Sequence, residues 1–338
     1  MRKIRLGIMG FGETGRHLYR ACLEDNLIEV VAISDIGKPD ILHYLLKSHS
    51  PKGMDVRLEG NHLVSANGRA RMVRGISPEH VPWDAFDMDV VVDATGKYQT
   101  RQDMEQHLRS GAKRVILSSL PSGTIDRIAI IGVNEDQIDV NDKLISPGSA
   151  TTIATGILLK LLKESIGVDY TMISTVHSYT ADQPLRNVAG TDFRRSRSAA
   201  ENIIPNTSPS PAGLEVVFPD MKGRIEGGAL NVPVPAGSLL DLTTVMSTPD
   251  FSLDQVHQIM RDAAARNPHL IEIADDPIVS KDVLGNRHSV VYDVQATMKA
   301  GKRMLKTITW FHGYLSLAHR IKELILLYGE LDKKGGLK

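Results

Sequence analysis

The 338-residue chain has one cysteine, no net charge (40 Lys plus Arg against 40 Asp plus Glu) and no long apolar run. One cysteine, Cys22, excludes intrachain disulfides and fits a reducing compartment. Its setting, Leu18-Tyr19-Arg20-Ala21-Cys22-Leu23, predicts a small packing residue on a helix. Charge balance gives no electrostatic reason to expect nucleic acid or a membrane surface as partner. No stretch reaches the roughly 18 apolar residues that a membrane-crossing helix needs. Arg2 and Lys3 lead straight into a strand-like run, with no sign of a secretion leader. His43, His49 and His62 follow no metal-ligand spacing and read as surface or loop residues. There is no internal repeat, and the Lys333-Lys334-Gly335-Gly336 tail reads as frayed. The expectation is a soluble, cytoplasmic protein without a metal.

What is present is ordinary globular material, 42% apolar and 24% charged, long enough for two domains with separate cores. Strand and helix patterns alternate from the start. Ile4 to Met9, Glu29 to Ser34, Val90 to Asp93, Arg114 to Ser118 and Ile128 to Gly132 read as strands. Arg16 to Leu27 and Gln102 to Gly111 read as helices. This rhythm predicts an α/β Rossmann domain, a doubly wound parallel sheet with right-handed crossovers.

Gly10-Phe11-Gly12-Glu13-Thr14-Gly15 lies between the first strand and the first helix, the context in which a G-x-G-x-x-G run binds a dinucleotide. The first glycine permits the turn, the second lets amides approach a pyrophosphate, and the third lets helix pack on strand. The helix start offers free N–H groups and a positive dipole end. Asp35 closes the second strand, where a carboxylate binds ribose hydroxyls and repels a 2′-phosphate, so NAD is favoured over NADP. Glu13 would repel phosphate unless it turns to solvent. Lys38 is expected to neutralise part of the Asp35 charge, and Arg16 to face outward.

Beyond Thr152 the pattern changes. Ile153 to Ile166 reads as a long helix, followed by strands around Thr171 to Val176, Gly227 to Val232, Leu239 to Met246, Val290 to Tyr292 and Thr307 to Phe311. Ser252 to Asn267 and Gly313 to Tyr328 read as amphipathic helices. One sheet with helices on one side is an α+β domain. The expected division is 1–149 with 314–338 as the dinucleotide domain and 150–313 as the α+β domain.

The motifs resemble those of the glyceraldehyde-3-phosphate dehydrogenase family over essentially the whole chain. They include Gly7-Ile8-Met9-Gly10-Phe11-Gly12, Ala94-Thr95-Gly96, Ile131-Gly132-Val133-Asn134 and Ser146-Pro147-Gly148-Ser149-Ala150-Thr151-Thr152. Thr175 to Gln183, Arg194 to Pro205, Asn231 to Pro235 and Trp310 to Arg320 continue the series. The resemblance implies oxidation of an aldehyde through a cysteine hemithioacetal, hydride transfer to NAD and phosphate attack on the thioester. It assigns Gly10, Phe11, Gly12, Glu13, Thr14, Gly15, Asp35, Thr95, Gly96, Ser118 and Gly313 to cofactor positions. It assigns Ser149, Thr151, Thr180, Asp182, Ser208 and Asn231 to the substrate and anion neighbourhood, and His177 to the catalytic base. It also implies a homotetramer, with Arg194, Arg195 and Arg197 on a subunit-contact loop from Thr191 to Ala200.

Several positions depart from the family pattern. Ala150 stands where the resemblance expects the cysteine nucleophile, and a methyl group forms no covalent intermediate. Asn231 replaces an arginine that holds substrate phosphate, losing its charge and its bidentate fork. Ser208-Pro209 replaces a threonine-glycine pair at the phosphate site, and proline lacks an N–H. Gly313 and Tyr314 replace an asparagine and a glutamate near the nicotinamide, and Ile153 replaces an asparagine. His312 and Tyr314 are new polar groups there. An imidazole titrating near neutrality still serves as acid or base on oxygen, which points to non-covalent hydride transfer on a small metabolite. The alternatives are a catalytically inactive pseudoenzyme with a regulatory or scaffold role, or a working dehydrogenase whose cysteine was changed to alanine.

Overall fold

In a computed structural model, described for residues 2–48, 54–180, 183–190 and 192–334, the chain forms two units. One comprises Met1–Gly148 with Leu317–Lys338, the other Ser149–Ser316.

The first unit is built on a nine-stranded sheet. From the middle outward on one side run Ile4–Met9, Ile28–Ser34, Gly68–Val73, His62–Ser65 and Arg57–Glu59; on the other run Val90–Asp93, Arg114–Leu117, Leu144–Ser146 and Arg127–Ile128. The strands from Gly68–Val73 through Ile4–Met9 to Arg127–Ile128 pair in parallel. Val90–Asp93 is buried throughout, as a parallel strand covered on both faces must be. The chain leaves Ile4–Met9 toward Ile28–Ser34 and returns to pair on its other side with Val90–Asp93. The order therefore reverses at the carboxyl end of the first strand, where open α/β sheets bind ligands.

Several details differ from the sequence expectation, among them the first helix, which runs Glu13–Leu23 rather than Arg16 to Leu27. The strand expected over Ile128 to Gly132 is only Arg127–Ile128. Asn134 takes over its hydrogen bonds, accepting from Ile130 N at 2.8 Å and donating to Ile128 O at 2.9 Å, and the chain turns. The strands at Arg57–Glu59, His62–Ser65 and Gly68–Val73 form an antiparallel edge, and Pro39–Ser48 is a helix. His43 and His62 lie half-buried on that helix and that edge rather than in loops, while His49 falls outside the described residues. Cys22 is buried on the first helix, and burial raises its thiol pKa.

The second unit has a seven-stranded mixed sheet in the order Ile204–Thr207, Ile225–Val232, Val168–Ser178, Ser238–Met246, Met304–Phe311, Val290–Ala300 and Ile271–Ala274. Ser238–Met246 alternates buried and half-buried along its length, the period of a strand with one covered face. The helices Ala150–Ser165, Ser210–Val217 and Leu253–Arg266 contact one another and the sheet, and so form its cover. The helix expected from Ile153 begins at Ala150, because Ser149 Oγ accepts from Thr152 N at 3.1 Å and caps it. His177 lies on the strand Val168–Ser178, as its strand-like segment led one to expect, and pairs in register with Asn231.

Candidate functional site

Each unit carries its own constellation. In the first, Gly10 has φ +89°, and a Cβ there would lie 2.7 Å from Thr95 N. A Cβ on Gly15 would lie 2.1 Å from Gly10 O, so only glycine lets the helix Glu13–Leu23 sit this close. Gly12 differs: nothing lies within 4 Å of its added Cβ, and as N-cap it supplies no side chain to the helix amides. Open space and uncapped donors are what a pyrophosphate requires. Phe11 turns its buried ring edge-on to Tyr19, so the backbone is its contribution to the turn.

Asp35 accepts from Phe11 N at 2.6 Å and Gly37 N at 2.7 Å, one bond to each oxygen. Each oxygen keeps acceptor capacity for a ribose hydroxyl. Among the described residues Asp35 forms no ion pair with Lys38 or any other cation. Arg16 does not face outward either. It is buried, donates to Phe11 O at 3.0 Å and pairs with Glu13. Helical i,i+3 spacing brings the two charges together, and His17 lies 3.7 Å from the same carboxylate, so Glu13 reaches the turn partly neutralised. Thr14 and Ser118 are half-buried, and Ser118 N donates to Asp93 O. These residues fit NAD.

The sequence reading missed what holds Thr95. Its N and Oγ1 both donate to Asp93 Oδ1, at 2.9 and 2.6 Å, before the chain turns at Gly96 with φ +68°. Buried Asp93 meets His107 Nε2 at 3.1 Å through its other oxygen, and His107 Nδ1 accepts from Trp83 Nε1 at 2.9 Å. An indole only donates, so Nδ1 bears the lone pair and Nε2 the proton. His107 is a lone histidine on a helix face in the sequence, with nothing to mark its partners.

In the second unit His177 is held at both nitrogens. Nε2 lies 3.1 Å from Thr151 Oγ1 and Nδ1 lies 3.0 Å from Ser238 Oγ, with the Phe311 ring edge-on at 6.0 Å. Burial lowers the imidazole pKa to about 4, which overturns the expectation of titration near neutrality: the ring is neutral at pH 7. Ser238 is 61 residues away in sequence, and no local pattern flags it. Ala150, Thr151 and Ser149 occupy the capped helix start; Ser149 Oγ, Thr152 Oγ1 and Ser210 Oγ make a hydroxyl cluster. Gly313 opens the last helix, and a Cβ on it would meet only the Ala150 methyl, at 4.0 Å.

The remaining candidates are drawn into local structure. Asn231 is 8% exposed, accepts from Asn206 Nδ2 and donates to Ser178 O at 3.2 Å, so its amide is consumed by neighbouring backbone and side chain. Thr180 N donates to Gln183 Oε1 at 3.1 Å; Asp182 falls outside the described residues. Ser208 Oγ accepts from Ser210 N at 3.3 Å, and Pro209 is the N-cap of Ser210–Val217. His312 Nδ1 accepts from Gly285 N at 3.2 Å, and Tyr314 is half-buried. In the arginine loop Arg195 N donates to Asp192 and Arg197 Nε to Asn187, while Thr191 falls outside the described residues. Among the described residues no group of three acidic, histidine or cysteine side chains is arranged to hold a metal, and no helix is long and apolar enough to cross a membrane.

Comparison with known proteins agrees with both units. Residues 4–101 match the profile of the glyceraldehyde 3-phosphate dehydrogenase NAD binding domain, and residues 149–313 that of its C-terminal domain. The chain is 36% identical over 339 residues to glyceraldehyde-3-phosphate dehydrogenase of Mycobacterium leprae, covering 97% of this chain and 99% of the relative. It is 35% identical over 327 residues to glyceraldehyde-3-phosphate dehydrogenase 1 of Bacillus subtilis and to the enzyme of Geobacillus stearothermophilus, covering 95% of this chain and 97% of each relative.

Proposed function

The chain belongs to the glyceraldehyde-3-phosphate dehydrogenase family with an NAD-binding domain, and from that premise we propose an NAD-linked oxidoreductase that has left the phosphorylating reaction. In this reading Ala150 occupies the nucleophile position, so no thioester forms and phosphate has nothing to attack. NAD, when bound, supplies the hydride acceptor. The chain supplies Gly10, Gly12, Gly15 and Asp35 to hold it, with Thr95, Gly96 and Ser118 beside them. His177, neutral at pH 7, takes the proton from the hydroxyl of a small metabolite as its carbon is oxidised. The observation that carries this lies in the second unit, where a neutral imidazole stands on a strand in register with an Asn231 whose amide is already spent on Asn206 and Ser178; the open Gly12 turn of the first unit supports NAD binding independently.

Titration calorimetry with NAD is the test. Heat of binding below millimolar concentration is expected; its absence sinks the oxidoreductase and leaves a pseudoenzyme with a regulatory or scaffold role. That second reading draws on the same Asn231 bonds and on the occupation of both His177 nitrogens. With binding established, a screen of small alcohols and aldehydes compares the native chain with His177→Ala, and equal turnover removes His177 from the mechanism. Assembly as a homotetramer in the cytoplasm belongs to the same reading. Exposed Leu185, Val188, Phe193 and Ile203 along the arginine loop support a subunit contact there, which light scattering measures directly.

A further inference from the structure

We propose that His107 is a positioning residue for NAD, holding through Asp93 the Thr95–Gly96 turn beside which the cofactor binds. The proposal rests on the reading that NAD occupies the glycine turn of the first unit. The two turns are neighbours: a Cβ on Gly10 would lie 2.7 Å from Ala94 C and from Thr95 N. Thr95 follows the carboxyl end of Val90–Asp93, the strand beside Ile4–Met9 where the sheet order reverses.

Four side chains tie this turn to the core. Thr95 N and Oγ1 both donate to Asp93 Oδ1, at 2.9 and 2.6 Å, and Thr95 Oγ1 accepts from Lys97 N at 3.1 Å. Asp93 Oδ2 accepts from His107 Nε2 at 3.1 Å, and His107 Nδ1 accepts from Trp83 Nε1 at 2.9 Å. The indole is wedged on the first strand, where a Cβ on Gly7 would lie 2.8 Å from its Cζ3. Each proton has one place to go. The Trp83 N–H sets the His107 tautomer, the tautomer directs Nε2–H to Oδ2, and Oδ1 is left to Thr95.

Stability alone does not account for this series. Asp93, His107 and Trp83 are each 0% exposed, and Trp83 stands in an apolar cluster with Met9, Met88, Val91 and Met104. Apolar groups of matching size in such a place often hold a fold as well or better. They would not hold a polar turn in one conformation. At its other end the series reaches the surface, where Thr95 is half-buried and Gly96 exposed. Gly96, with φ +68°, is where that hold matters, since glycine loses more conformational freedom on ordering than any other residue. A turn ordered before NAD arrives removes that loss from the binding step.

Hydrogen exchange of the native chain without NAD is the first test and needs no variant. The Thr95 and Lys97 amides are expected to exchange slowly; exchange at unstructured rates overturns the proposal. His107→Leu removes both ring bonds with a side chain of similar size. It is expected to lose protection at Thr95 and Lys97 but not across Val90 to Val92, and to regain it with saturating NAD. Its Kd for NAD, read by calorimetry, should rise roughly tenfold, as it does when about one molecule in ten holds the competent turn. His107→Gln, which keeps an N–H for Asp93, should recover most of that affinity. If His107→Leu does not fold, Trp83→Phe, which keeps a ring and loses the N–H, should shift protection and Kd in the same direction. A folded variant with a lower melting temperature but native protection and native Kd reveals a purely structural role and overturns the proposal. No NAD binding by the native chain overturns the reading beneath it; native binding with unchanged Kd in the variants overturns the positioning role alone.

Discussion

The His177 imidazole sits among uncharged groups, the hydroxyls of Thr151 and Ser238 and the edge of Phe311, and nothing there compensates a positive charge. Its pKa is lowered by burial from 6.5 to about 4. Between those values the unfolded chain holds a proton that the folded chain does not, so folded stability falls as pH drops through that window. Urea unfolding of the native chain and of His177→Gln at pH 7 and pH 4.5 tests this: the native midpoint should drop further. A second residue-scale prediction concerns position 150. Ala150→Cys alone should not restore efficient phosphorylating oxidation, because Asn231 carries no charge and Pro209 no N–H. Each missing charge-assisted contact is worth roughly 1.5–3 kcal/mol, one to two decades in rate. Robust activity with glyceraldehyde 3-phosphate, NAD and phosphate would instead mark a working dehydrogenase whose cysteine had been changed.

Among elements, the first strand, turn and helix show how three glycines in one motif do different work. Gly10 is required by its φ of +89° and Gly15 by the 2.1 Å approach of Gly10 O, so both are conditions of folding. Gly12 has free space around it and is a condition of ligand approach. Gly12→Ala should therefore cost at most about 1 kcal/mol of stability, the scale of an N-cap change, while weakening NAD binding measured by calorimetry. Gly15→Ala should lower the melting temperature markedly by pushing helix from strand. Equal effects on melting would contradict this division. The motif's existence was readable from its place between strand and helix. The partners of its neighbours were not: Arg16 turns inward to Phe11 O and Glu13 because the carbonyl and carboxylate lie one helical turn away, where an isolated amphipathic pattern puts a charged residue outside.

For the whole molecule, the chain closes the first unit with its last helix. Leu317, Ala318, Ile321, Leu324, Ile325 and Tyr328 are buried there. Arg114 then grips Asp332 through two bonds of 2.7 and 2.6 Å while lying 4.5 Å over the Tyr328 ring, and Tyr328 Oη donates to Asp142 O. The guanidinium is little exposed, so removing its partner leaves a poorly solvated charge. Asp332→Asn should cost about 1–3 kcal/mol, measured by urea unfolding, with only weak dependence on added salt. A change confined to the low end at high salt would mean that the pair is effectively a surface one.

Local pattern alone established the alternation of strand and helix and the dinucleotide turn with Asp35, because each depends on periodicity or on residues adjacent in sequence; the family came from the resemblance of motifs spread along the chain. In the proposed reading, the resemblance also marks Ala150, Asn231, Pro209 and Gly313 as departures. Distance decided the rest. Ser238 meets His177 across 61 positions, Trp83 and Asp93 sandwich His107, and Asn206 engages Asn231 from a neighbouring strand. Even the acid-base character of His177 belongs to the tertiary structure, since desolvation arises only when strand and helix enclose the ring.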